Sequence, residues 1–90
     1  VNPFPSDRAQ VAELVCDVVS GILPGIVRDE ITEDRHPKDL GADSVDRVEI
    51  IMALIDRSGS SRPMGDFSDL PHLGALIDLL TADARAGASR

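Results

Sequence analysis

Apolar residues near the start of the chain return with a helical period. Val11, Leu14, Val15, Val18, Val19 and Ile22 fall at i, i+3, i+4, i+7, i+8 and i+11. That spacing lays one continuous apolar stripe along a helix, which must then bury it against a partner element. It predicts a helix over about Asp7 to Ile22, capped by Ser6 or Asp7 and closed at Pro24-Gly25. A second helix is expected from Ser44 to Arg57, with Asp43 as its N-cap and Ser58-Gly59-Ser60-Ser61 as its breaker. A third is expected from Pro71 to Ala82, with Leu73, Leu76, Ile77 and Leu80 as its apolar set and Pro71 in its first turn. Met64 to Leu70 leaves room for one short turn of helix. No segment alternates as a strand does. The expected fold class is all-α: a small four-helix bundle of three main helices and one short one.

The ninety residues hold one domain, placed at residues 7–81. Residues 1–6, with two prolines, read as a loose lead-in, and residues 82–90 as a frayed tail. Between the first two helices runs a long connection, Leu23 to Asp43, which Ile26, Ile31 and Leu40 can pin to the core. A connection of that length in a small domain is functional or locked down.

Composition removes several functions. The formal charge of −7 argues against a nucleic-acid partner and favours partners with basic patches. Phe4 and Phe67 are the only aromatics, too few for a base-stacking platform. Cys16 is the only cysteine, so no internal disulfide forms, and it reads as an ordinary helix residue. No apolar run reaches membrane-spanning length and no signal peptide is visible. A cytoplasmic monomer with no membrane or metal requirement is expected.

The second helix carries the most information. At 100° per residue, Val45, Val48, Ile50, Ile51, Met52, Leu54 and Ile55 cover an apolar arc of roughly 220°, wider than one core contact needs. The flank formed by Val45 and Met52 is therefore expected to be partly exposed. Glu49 and Asp56 lie beside it, with Asp46 further round. An apolar strip edged by carboxylates suits docking to a basic partner; the alternative is that the loop folds over it. Ser44 stands at the helix start. A phosphodiester on its hydroxyl would gain about 0.3–1 kcal/mol from the helix dipole. On position alone, ordinary helix initiation is the better explanation of Ser44, since Asp and Ser are common at helix starts.

The run Leu40-Gly41-Ala42-Asp43-Ser44-Val45-Asp46-Arg47-Val48-Glu49-Ile50 resembles the signature of acyl carrier proteins. In that family a Leu-Gly-x-Asp-Ser-Leu segment opens the second helix and its Ser bears 4′-phosphopantetheine. Asp43 and Ser44 match; Val45 replaces Leu. The resemblance extends through Ile51-Met52-Ala53-Leu54-Ile55, back to Val27–Ile31, and on to the Leu73–Leu80 helix. It implies a non-catalytic carrier. A phosphopantetheinyl transferase would load Ser44, and the arm's thiol would hold an acyl thioester. It also implies that Asp43 belongs with Ser44 to the cofactor site and, with Val45, Asp46, Arg47, Glu49, Met52 and Asp56, contacts partner enzymes. Two departures stand out. The apolar anchor common just before the signature is missing at His36-Pro37. Arg47 stands where many acidic carriers have a neutral residue, and it either alters partner choice or pairs with a nearby carboxylate.

Within the family, Ser44-Val45-Asp46-Arg47-Val48-Glu49-Ile50 resembles the stand-alone carriers of polyketide β-branching cassettes, which give acetyl to a hydroxymethylglutaryl-CoA-synthase-like (HMG-CoA-synthase-like) enzyme. The other expected partners are a ketosynthase or an acyltransferase. The alternative is a fatty-acid or general polyketide carrier. A peptidyl carrier fits less well, because Ala42-Asp43 rather than Gly-Gly-x precedes Ser44. Outside the family, a helical interaction module without a prosthetic group remains open. A Ser44 hydrolase lacks both a Gly-x-Ser-x-Gly elbow and a His partner, since His36 and His72 fall at loop or helix-start positions.

Overall fold

The computed structural model describes residues 7–60 and 62–88, with side chains of the last helix described as far as Ala84. The expected lead-in at residues 1–6 lies outside the described residues. Four helices follow in order: α1 (Arg8–Ile22), α2 (Ser44–Ser58), α3 (Gly65–Ser68) and α4 (Leu73–Ala88). Two 3-10 turns, Arg28–Glu30 and Pro37–Leu40, punctuate the connection between α1 and α2. No strand occurs among the described residues. The all-α, four-helix expectation therefore holds.

The α1 stripe packs against both α2 and α4. Val11, Val15, Val18 and Val19 are buried there, facing Ile50 and Leu54 of α2 and Leu73, Leu76, Ile77 and Leu80 of α4. Phe67 closes the core from α3, and Ile31 and Ala42 close it from the connection. Each fully buried aliphatic side chain contributes about 1.5–3 kcal/mol relative to exposure. Asp7 caps α1, its Oδ1 accepting from the Gln10 N–H at 2.8 Å. Cys16 is half-buried on α1, and burial pushes its thiol pKa up, in keeping with an unreactive helix residue.

The connection is locked down. Arg28 reaches back to Asp17 at 2.8 Å and Glu13 at 2.9 Å, tying the first 3-10 turn to α1. Ile31 is buried, while Ile26 and Leu40 are half-buried against the core. At the second turn His36 and Asp39 form a reciprocal cap, with Lys38 N–H donating to His36 Nδ1 at 3.0 Å and His36 N–H to Asp39 Oδ2 at 3.1 Å. Polar capping thus stands where the apolar anchor is missing.

The bounds of α4 differ from expectation. The helix starts at Leu73 rather than Pro71, because His72 supplies the cap: its Nδ1 accepts from the Ala75 N–H at 3.1 Å. The first helical N–H groups, of Leu73 and Gly74, donate to the Arg35 and Glu33 carbonyls, both at 2.8 Å. Gly74 permits that approach, since a Cβ there would lie 3.3 Å from the Glu33 carbonyl oxygen. Arg8 clamps the same region, donating to Glu33 and, at 2.8 Å, to Asp78. The tail expected to fray from Ala82 is instead helical as far as Ala88. Asp83 accounts for this: it accepts from Arg62 at 2.6 Å and from the Ser60 hydroxyl at 2.9 Å. The alanines at 82, 84, 86 and 88 add the best intrinsic helix propensity. Residues 89 and 90 lie outside the described residues.

Two outcomes test this packing. In urea unfolding, Leu54→Ala is expected to cost about 2–5 kcal/mol, as for a buried Leu. Met52→Ala, on the exposed side of the same helix, should stay within about 0.5 kcal/mol of wild type. Equal losses would contradict the assigned faces. Hydrogen bonds from Arg62 hold the Asp83 carboxyl below its ordinary pKa. A depressed folded value contributes stability above the unfolded value and loses it as pH falls. Asp83→Asn should therefore flatten the stability loss below about pH 4.

Candidate functional site

The start of α2 is built by the turn before it. Gly41 adopts a left-handed conformation, φ 88°, at the end of the second 3-10 turn. There its N–H donates to the Lys38 carbonyl and the Ala42 N–H to the Pro37 carbonyl, both at 3.1 Å. A side chain at that φ would be strained, so glycine suits the position. The reversal buries Ala42 and leaves Asp43 and Ser44 exposed.

Asp43 and Asp46 then cap α2 reciprocally. Asp43 Oδ1 accepts from the Asp46 N–H at 2.8 Å, and Asp46 Oδ2 accepts from the Asp43 N–H at 3.3 Å. This division of labour matters for Ser44. The capping is done by its neighbours, so its hydroxyl is exposed and makes no hydrogen bond among the described residues. A free hydroxyl at the first residue of a 15-residue helix can accept a covalent substituent without any helix contact being broken.

The excess apolar arc of α2 has the predicted consequence. Ile50 and Leu54 are buried, while Val45 is 63% and Met52 58% exposed. Val48, which was not singled out for that flank, joins them at 44%, and Val27 of the connection is also exposed. Glu49 and Asp56 are exposed beside this strip. Asp46 is half-buried and engaged in the cap. Arg47 is not brought to the strip: three residues after Ser44, it lies about 200° round the helix from Val45. The carboxylate pairing considered for it does not occur, because Arg47 makes no ion pair among the described residues.

Sequence reasoning missed a cleft on that other side. It has a volume of about 240 Å³ and runs from Ser44 between α2, α3 and α4. Ile51, Phe67, Leu70, Leu73 and Leu76 form its apolar wall. Phe67, an aromatic in the short segment between two breakers, was the one available signal. His36 and His72 line the cleft too, but both spend Nδ1 on backbone caps and neither hydrogen-bonds Ser44. That arrangement gives no support to a Ser-His hydrolase. Among the described residues no group of His, Cys, Asp or Glu is placed to hold a metal, and no helix is long and apolar enough to cross a membrane.

These features define a small helical domain that offers a free serine at a helix start. Residues 10–80 match the family described as PP-binding, phosphopantetheine attachment site. The chain belongs to that family, the acyl carrier proteins and domains on which 4′-phosphopantetheine is attached and which act as carriers rather than catalysts. It is similar to the acyl carrier protein of Lactobacillus johnsonii, at 33% identity over 79% of this chain and 89% of that protein. It is also similar to the non-reducing polyketide synthase adrD of Penicillium rubens, at 27% identity over 93% of this chain but only 4% of that protein. No solved structure matches. The site fits the prosthetic group: Ser44 offers an unengaged oxygen, with a cation and an apolar cleft alongside.

The capping geometry separates two substitutions. Asp43→Ala removes the side-chain acceptor and should cost about 1 kcal/mol of stability. Ser44→Ala should leave the melting curve and helical circular dichroism near wild type. A larger loss for Ser44→Ala would show that its hydroxyl supports the helix.

Proposed function

We propose that Ser44 is the residue that carries the arm and that acyl intermediates ride on it as thioesters. The observation that carries this reading is the exposed Ser44 hydroxyl, without a hydrogen bond among the described residues, within the span matched to the family. A phosphopantetheinyl transferase would load it. The Ser44 oxygen bonds to the coenzyme A phosphorus, the pyrophosphate P–O bond breaks, and the adenosine bisphosphate half leaves. The hydroxyl proton passes to a base on the transferase. When bound, the group supplies a terminal thiol on a long arm. This chain's own residues hold the attachment point outward and offer the docking strip of Val45, Val48, Met52, Glu49 and Asp56.

The pathway we propose is polyketide assembly, in a cytoplasmic setting, with a ketosynthase, an acyltransferase or an HMG-CoA-synthase-like enzyme as partner. Acetyl donation to such a β-branching enzyme rests on the Ser44–Ile50 run. The competing reading, a general or fatty-acid carrier, is favoured by the similarity to the Lactobacillus johnsonii protein over most of both chains.

Incubation with coenzyme A and a promiscuous transferase should add the mass of one phosphopantetheine to wild type and none to Ser44→Ala. An unmodified wild type that stays folded would return the chain to a plain interaction module. Met52→Glu should weaken transferase or synthase binding while leaving the melting temperature near wild type; a large drop in melting temperature would put Met52 in the core. Acetyl transfer to a β-branching synthase should exceed that from an unrelated carrier. Equal transfer would leave the general-carrier reading.

A further inference from the structure

The cleft beside Ser44 has an unusual polar lining for so acidic a chain. Its polar residues are Ser44, Ser68, Arg47, His36 and His72, and no carboxylate lines it. Arg47 is the one residue with a permanent charge among them. Arg8, Arg28 and Arg62 are each held by carboxylates, and Arg35 and Arg57 are exposed. Arg47 differs from all of these. It is half-buried, and its guanidinium makes no hydrogen bond or ion pair among the described residues. A guanidinium beside a cleft that has no carboxylate and no partner among the described residues is open to an anion, and its planar fork matches phosphate oxygens.

Its place in the helix says which anion it would meet. Residues at i and i+3 on a helix are neighbours, with Cβ atoms about 5–6 Å apart. Ser44 and Arg47 stand in that relation and line the same cleft. We infer that Arg47 binds the phosphodiester of the arm once Ser44 is modified, holding the arm's first segment against the cleft side of α2 and away from the Val45–Met52 strip. This rests on Ser44 being the attachment residue. Arg47 would then act as a positioning residue for the arm, not as a contact for partner enzymes. A carboxylate on the acyl cargo is the other anion that could meet it, but the cargo sits at the far end of the arm, whereas the phosphate is fixed one helical turn away.

The test follows the guanidinium and the phosphorus directly. Nitrogen-15 spectra of the Arg47 Nε–H, assigned by its loss in Arg47→Lys, are compared for the unmodified, the phosphopantetheinylated and the malonylated protein. Phosphorus-31 spectra are recorded for the modified wild type, Arg47→Gln and Arg47→Lys. The Arg47 signal should shift and exchange more slowly on phosphopantetheinylation and change little further on malonylation. The phosphorus resonance should move in Arg47→Gln, return part of the way in Arg47→Lys, and lose its dependence on residue 47 at high salt. Two results would overturn the inference: no response of Arg47 to phosphopantetheinylation, or a response that appears only on malonylation. Beyond the assignment on unmodified Arg47→Lys, the wild-type comparison needs no loaded variant, so poor loading of Arg47→Gln leaves the test intact. A wild type that gains no mass would remove the Ser44 reading itself; a normal mass gain with a silent Arg47 would remove this inference alone.

Discussion

The paired hydrogen bonds between Asp43 and Asp46 set where α2 begins, and most of what the domain offers to other molecules follows from that start. The first N–H groups of a helix need acceptors. Had Ser44 supplied one, its hydroxyl would be committed to the helix. Because the two aspartates supply them reciprocally, Ser44 begins the helix with its oxygen free. The left-handed Gly41 makes this possible by turning the chain sharply enough to bury Ala42 while leaving the next two residues in solvent.

From that start the helical period distributes chemistry around α2. Ile50 and Leu54 face α1 and hold the helix in place. Val45, Val48 and Met52 remain uncovered, with Glu49 and Asp56 alongside. Arg47 falls on the third side, over the cleft closed by Phe67. One helix thus presents an exposed apolar strip, an exposed serine hydroxyl and an arginine with no ion pair among the described residues, all held by the same buried aliphatic contacts. Leaving this strip in solvent forgoes the stabilisation that burying it would give.

The parts that the sequence made legible are those governed by local periodicity and capping. The α1 stripe, the Asp43 cap and the over-wide apolar arc of α2 could all be read from spacing. The parts that were not legible depend on contacts distant in sequence. The connection from Leu23 to Asp43 has no period of its own; it is shaped by Arg28 reaching α1 and by the Arg35 and Glu33 carbonyls receiving N–H groups of α4. Pro71 suited a helix start, yet His72 took the cap, because the α4 N-terminus docks on that loop. The persistence of α4 past Ala82 depends on Arg62 and Ser60 meeting Asp83. Phe67 was the one signal for the cleft, which depends on how α2, α3 and α4 pack, and the lack of an ion pair for Arg47 among the described residues depends on where other elements place their carboxylates.

The central claim is that one oxygen, that of Ser44, carries the arm. Cleavage after Lys38 and Arg47 gives the peptide Asp39–Arg47, in which Ser44 is the only hydroxyl-bearing residue. Mass spectrometry of that digest after loading with coenzyme A and transferase should find the full mass of one phosphopantetheine on this peptide and on no other. An unmodified Asp39–Arg47 peptide, or the added mass on a peptide containing Ser58, Ser60 or Ser68, would contradict the account.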